Sequence, residues 1–161
     1  MIHTLAIVGA TGAVGKIILD QLVSREFPTK NIKLLASQRS AGKIIECGGK
    51  QLVVEALTAE AFRDVQIAIG STPDEVAAEF VPWAVEQGTV VVDESAHFRM
   101  QPDVPLIVPE INPESIRLHK DNRSSPMPPH NQPNFSRGYN GPKPDHGPRP
   151  ALLLRSKRPL E

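Results

Sequence analysis

Apolar runs and amphipathic stretches alternate along the first 118 residues. Leu5-Ala6-Ile7-Val8 is continuously apolar and is closed by a glycine. That is the pattern of a parallel strand buried on both faces, and it predicts the first, central strand of a sheet. From Ala13 onward, Val14, Ile17, Ile18, Leu19, Leu22 and Val23 recur at helical spacing, and Pro28 is expected to stop the helix soon after Arg25. Residues 32–36 read as a second strand, which a right-handed crossover places parallel to the first. Ser37 to Lys43 reads as a polar loop. Lys43 to Cys47 and Gln51 to Glu55 flank Gly48-Gly49, which predicts a hairpin. Residues 65–69 form another strand pattern. A helix from Asp74 to Gln87 follows, with Val76, Ala77, Phe80, Val81 and Val85 inward, and Pro82 is expected to bend or restart it. Residues 89–92 and 105–108 complete an alternating series, so the expected fold class is α/β with a doubly wound, mostly parallel sheet.

Pro113 to Leu118 can start a further helix, with Asn112 as its cap and Glu114 complementing the dipole. The periodicity then stops. Of the 16 prolines nine lie beyond residue 120, and that stretch carries seven Lys or Arg (Arg123, Arg137, Lys143, Arg149, Arg155, Lys157 and Arg158) against Asp121, Asp145 and Glu161. The body is therefore acidic and the tail basic within a formal net charge of zero, giving no global pull toward nucleic acid. Two segments are expected: a folded domain at 1–120 and a Pro-rich basic tail at 121–161. The tail is expected to be disordered, because it cannot bury enough apolar area to offset its ordering entropy. Ala151-Leu152-Leu153-Leu154 is too short an apolar patch to change that expectation. Only Phe135 and Tyr139 could stack on bases, so no nucleic-acid partner is expected. One cysteine, Cys47, excludes an internal disulfide. With neither a basic leader nor a long apolar run, no membrane association is expected and a cytoplasmic location is.

Gly9-Ala10-Thr11-Gly12-Ala13-Val14-Gly15 stands between the first strand and the first helix, the context in which a glycine pattern reads as a pyrophosphate cradle. Gly9 permits the sharp turn, Gly12 the approach of phosphate to backbone, and Gly15 the close packing of helix on sheet. The helix N-terminus adds free N–H groups and a positive dipole. Gly9, Thr11, Gly12, Ala13 and Val14 are the expected contacts of a nicotinamide dinucleotide on a Rossmann-like sheet. The second strand ends in Ser37-Gln38-Arg39-Ser40, with no acid where an NAD-selective domain places one for the ribose hydroxyls. Ser37, Arg39 and Ser40 suit a 2′-phosphate instead, which favours NADP, with NAD as the second option. The competing reading is a solvated loop.

The glycine loop, Leu35 to Lys43, Val91-Val92-Asp93-Glu94-Ser95-Ala96-His97-Phe98-Arg99 and Val108-Pro109-Glu110-Ile111-Asn112 together resemble aspartate-semialdehyde dehydrogenase across residues 1 to about 120. N-acetyl-γ-glutamyl-phosphate reductase shares the glycine loop but fits Ser37 to Lys43 less well. The resemblance implies NADPH-dependent reductive dephosphorylation of β-aspartyl phosphate, through a thioester on a catalytic cysteine, in a homo-oligomeric enzyme of amino-acid biosynthesis. It also implies that Arg99 binds substrate carboxylate or phosphate; the alternative is an ion pair with Asp93 or Glu94. Glu94 and Ala96 depart from the usual Asn and Ser of this motif.

The family's cysteine-bearing Ile-Ile-Ala-Asn-Pro-Asn-Cys-Ser-Thr segment has no counterpart. Residues 121–129 read Asp-Asn-Arg-Ser-Ser-Pro-Met-Pro-Pro, and Cys47 matches no catalytic position. No catalytic residue is therefore assigned. His119, His130 and His146 read as solvated tail residues, and His97 with Asp93 and Glu94 is not read as a metal site. Codons for Arg123 to Met127, taken one nucleotide early, can spell Ile-Ile-Ala-Asn, consistent with a frameshift that replaced the catalytic and dimerisation domain. The expectation is an inactive cofactor-binding fragment. The other options are a non-catalytic NADPH-binding protein or an interaction protein acting through the basic tail.

Overall fold

The structure is a computed structural model and describes residues 2–101, 104–119 and 152–154, the last three and residues 118–119 as backbone only. The tail histidines His130 and His146, and residues 121–150 as a whole, lie outside the described residues.

Among the described residues, eight strands form one sheet in the order β3-β4-β2-β1-β5-β6-β8-β7. β1 (Ile2–Val8) is central, with β2 (Thr29–Ala36) parallel on one side and β5 (Ile67–Gly70) parallel on the other. Its apolar run explains that position. Leu5 and Ile7 enter one core with Leu19 and Leu34, while Ala6 and Val8 enter the opposite core with Phe62, Phe80 and Val91. Each large side chain so buried contributes about 1.5–3 kcal/mol. α1 (Ala13–Ser24) packs into the first core and α2 (Asp74–Glu86) into the second, so the sheet is doubly wound as expected.

α1 ends at Ser24 with Arg25 as its C-cap, close to the expected stop. Glu26 adopts a left-handed conformation (φ 47°), and the Phe27 N–H donates to the Leu22 carbonyl at 2.9 Å, closing the last turn. Leu19 is its deepest apolar residue, while Ile17 and Val23, members of the same helical-spacing series, are 46% and 43% exposed. α2 buries Ala77, Phe80, Val81, Ala84 and Val85, and it runs through Pro82 as one helix rather than restarting there.

The hairpin forms as expected. β3 (Ile44–Cys47) pairs antiparallel with β4 (Lys50–Ala56), and Gly48 and Gly49 take the positive φ angles of the turn. β4 returns to pair in parallel with β2. Beyond β6 (Val90–Asp93), β7 is only Leu106–Ile107. The expected helix at 113–118 is a 3-10 helix, Pro113–His119. Asn112 does not cap it by side chain. Its buried amide accepts from the Val108 N–H at 2.7 Å and donates to the Leu106 carbonyl at 3.0 Å and to Ser115 Oγ at 3.3 Å, fastening the turn after β7. Leu152–Leu154, expected to stay outside the fold, is β8 and lies between β6 and β7. No helix among the described residues is long and apolar enough to cross a membrane.

Candidate functional site

α1, which joins β1 to β2, and α2, which joins β5 to β6, lie on opposite faces of the sheet, and the strand order reverses between β1 and β5. A crevice therefore opens at the carboxyl ends of β1 and β5, where open α/β sheets place their ligands. Gly9 and Ser71, the residues that follow these two strands, form its floor. The Gly9 N–H donates to the Leu35 carbonyl at 2.9 Å and the Ser71 N–H to the Val8 carbonyl at 3.0 Å, which ties the loop to both neighbouring strands. Gly9 has φ +85°, and a methyl group there would lie 2.2 Å from the Ser71 carbonyl oxygen. A methyl on Gly15 would lie 2.4 Å from the Gly9 carbonyl oxygen, so glycine is what lets α1 begin directly above the turn.

Gly12 is the N-cap of α1 and offers no side-chain hydrogen bond, and no acid occupies the first turn. The amides of that turn and the helix dipole are thus directed at the crevice without a resident counter-charge, which fits the pyrophosphate of a dinucleotide. Thr11 and Val14 are half-buried beside exposed Gly12 and Ala13. At the end of β2, residues 38–40 form a short 3-10 turn instead of an open loop. It presents Ser37 and Arg39 to solvent and buries Ser40.

On the other side of the crevice lies the 93–99 loop, whose residues other than Arg99 were not assigned to a site from sequence. Asp93 is fully buried; its Oδ2 accepts from the Ser95 hydroxyl, and its Oδ1 has no hydrogen-bond partner. Burial pushes its carboxyl above the usual carboxylate range, only partly offset by the bonds from Ser95. Glu94 is raised too, by desolvation and by the neighbouring Asp93, against a lowering hydrogen bond from Ser71. The Glu94 N–H donates to the Gly70 carbonyl at 3.2 Å and the Ala96 N–H to Asp74 Oδ1 at 2.8 Å, so the loop is pinned to β5 and to the start of α2.

Arg99 is half-buried. Its Nη2 donates to the Glu94 carbonyl at 3.0 Å, and its buried Nε has no partner. The guanidinium is thus held by backbone and keeps donor capacity. Thr72 Oγ1, beside Gly9, is a third buried polar atom without a partner. Buried groups of this kind are normally paired, and these three, Thr72 just after β5, Asp93 at the end of β6 and Arg99 in the loop beyond it, point to a site shaped for a polar ligand. The signal available in the sequence was position: Ser71-Thr72 and Asp93 to Ser95 end the strands flanking the crevice.

His97 is exposed and packs edge-on against Phe98, ring centroids 4.6 Å apart. Cys47 is buried in the hairpin among the core residues of the α1 face. Burial, and secondarily Asp20, push its thiol up, the reverse of what a nucleophilic cysteine needs.

A glycine cradle at the switch point, an uncapped helix N-terminus and unpartnered polar groups opposite it define a dinucleotide-binding α/β domain. The chain belongs to the semialdehyde dehydrogenase NAD-binding-domain family, whose model matches residues 4–119. It is 45% identical over 115 residues to the aspartate-semialdehyde dehydrogenase of Synechocystis sp., a match covering 71% of this chain and 34% of that protein. The crystal structure of aspartate semialdehyde dehydrogenase II from Vibrio cholerae complexed with ASA superposes with TM-score 0.75 at 34% identity, covering 96% of this chain and 42% of that one. That of the Candida albicans enzyme with NADP gives TM-score 0.67 at 28% identity, covering 75% and 37%. The chain spans about a third of the length of the curated relatives it matches.

Proposed function

We propose that residues 1–120 are the NADP-binding domain of an aspartate-semialdehyde dehydrogenase, joined here to a basic tail at 121–161, and that the 161 residues hold the cofactor without turning it over. The observation that carries the cofactor assignment is the glycine floor under an uncapped helix: Gly9 against Ser71 and Gly15 against Gly9, with the first-turn amides unspent. Gly9, Thr11, Gly12, Ala13 and Val14 would hold the pyrophosphate. Ser37 and Arg39 would face the 2′-phosphate, with Ser40 supporting the turn from its buried position. The Candida relative crystallised with NADP and the absence of an acid in Ser37 to Lys43 support NADP over NAD.

When bound, the nicotinamide supplies a hydride for reduction of an acyl phosphate to an aldehyde. In this chain Arg99 is the group suited to the substrate's oxyanion, since its guanidinium is held from one side and has donors left over. The chain supplies no thiolate, because Cys47 is its sole cysteine and is buried with a raised thiol pKa.

The test is a pair of measurements on the purified chain. NADPH is expected to bind, and aspartate semialdehyde with phosphate and NADP is expected to give no reduced cofactor. Turnover would overturn the inactive reading, and failure to bind NADPH at millimolar concentration would overturn the cofactor assignment.

A further inference from the structure

β8 reaches the sheet from far along the chain and enters between two strands that precede it. Its backbone pairs in parallel with β6 through Val92 with Leu152 and Asp93 with Leu153. On its other edge it pairs in parallel with β7, through Leu106 with Leu153 and Ile107 with Leu154. β6 and β7 are therefore not neighbours; they stand one strand apart, and β8 fills the space. An internal gap of this kind presents two rows of backbone donors and acceptors, so one entering strand satisfies both edges together. Ala151-Leu152-Leu153-Leu154 is also the longest uncharged apolar run beyond residue 120. Such a run suits a central strand covered on both faces.

We propose that the gap between β6 and β7 is an acceptor site for one short apolar strand running parallel to both neighbours, and that the chain's own Leu152–Leu154 is its occupant. This reading is independent of the cofactor. It gives the tail a role in the fold, and because Leu153 pairs with Asp93, the strand braces the first residue of the loop that carries Glu94, Ser95 and Arg99. An unoccupied gap would be open to strand addition from another peptide.

Hydrogen exchange on the full chain tests this without any variant. The amides of Leu152 to Leu154 are expected to exchange about a hundredfold or more slowly than in an unstructured segment. Exchange at the unstructured rate overturns the proposal. If protection appears only at concentrations where size-exclusion chromatography shows a dimer, the occupant is a second copy's strand and the assignment to the same chain is overturned. A Leu153→Pro variant, which removes a ladder N–H, is expected to bind a fluorescent Ala-Leu-Leu-Leu-Arg peptide about tenfold or more tightly than the wild-type chain or Leu153→Ala, whose gap is already filled. Equal binding to all three overturns the acceptor site.

Discussion

A methyl group on Gly9 would lie 2.2 Å from the carbonyl oxygen of Ser71, so the turn out of β1 and the end of β5 meet at a contact only glycine allows. The Gly9 backbone is also left-handed. Gly9→Ala is expected to lose about 2 kcal/mol or more of stability, combining the left-handed penalty with overpacking, as read by urea denaturation. Gly12→Ala should behave differently. A methyl there meets only the Gly9 carbonyl oxygen, at 3.2 Å, so the fold is expected to persist while NADPH affinity falls. A folded Gly12→Ala with unchanged NADPH affinity would contradict the cradle.

Arg39 is exposed at the end of β2, beside Ser37. Arg39→Ala is expected to weaken NADPH binding about tenfold, or about 1.4 kcal/mol, and to leave NADH binding unchanged. Parallel titrations with the two cofactors check this, and an equal loss for both would remove the 2′-phosphate contact.

Because Asp93 is buried, its folded-state carboxyl titrates above the ordinary range. The folded protein therefore holds that proton more tightly than the unfolded chain. No penalty applies below the ordinary carboxylate range; it grows as pH rises toward the raised value and is complete above it. Glu94 is shifted in the same sense. Wild-type protein is expected to lose stability as pH rises above the ordinary carboxylate range through these two groups, and Asp93→Asn to lose measurably less. Melting curves across that rise in pH decide it, and identical pH slopes would contradict the assignment.

Asn112 is 1% exposed and makes three hydrogen bonds that close the turn after β7. Asn112→Ala is expected to cost about 1–3 kcal/mol, since the side-chain hydrogen bonds that close this turn are lost. Cys47→Ala, in contrast, is expected to change NADPH affinity not at all. A shift in affinity would show that the hairpin communicates with the crevice.

The sheet's centre was legible because β1 announces itself twice, by a run with no polar residue and by the glycine that ends it. The hairpin was legible for a related reason, as Gly48-Gly49 supplies both left-handed positions of its turn. Asn112 was misread because a cap and a turn-closing amide look alike in sequence; what separates them is whether its partners come from the helix or, as here, largely from the preceding strand. β8 was missed because three leucines carry no periodicity, and their place is set by a gap between two strands that lie far earlier in the sequence. In the site, the glycine loop was readable because its chemistry is backbone geometry. Thr72 and Asp93 were not, because their significance lies in burial without partners, which only the fold creates.

The central claim is that the crevice between β1 and β5 holds NADP. Amide chemical shifts of the labelled full chain, followed through an NADPH titration, test it residue by residue. The largest shifts are expected at Gly9 to Val14 and at Ser37 to Ser40, with NADH moving the first group and sparing the second. No shift at millimolar NADPH, or shifts confined to residues away from both loops, would contradict it.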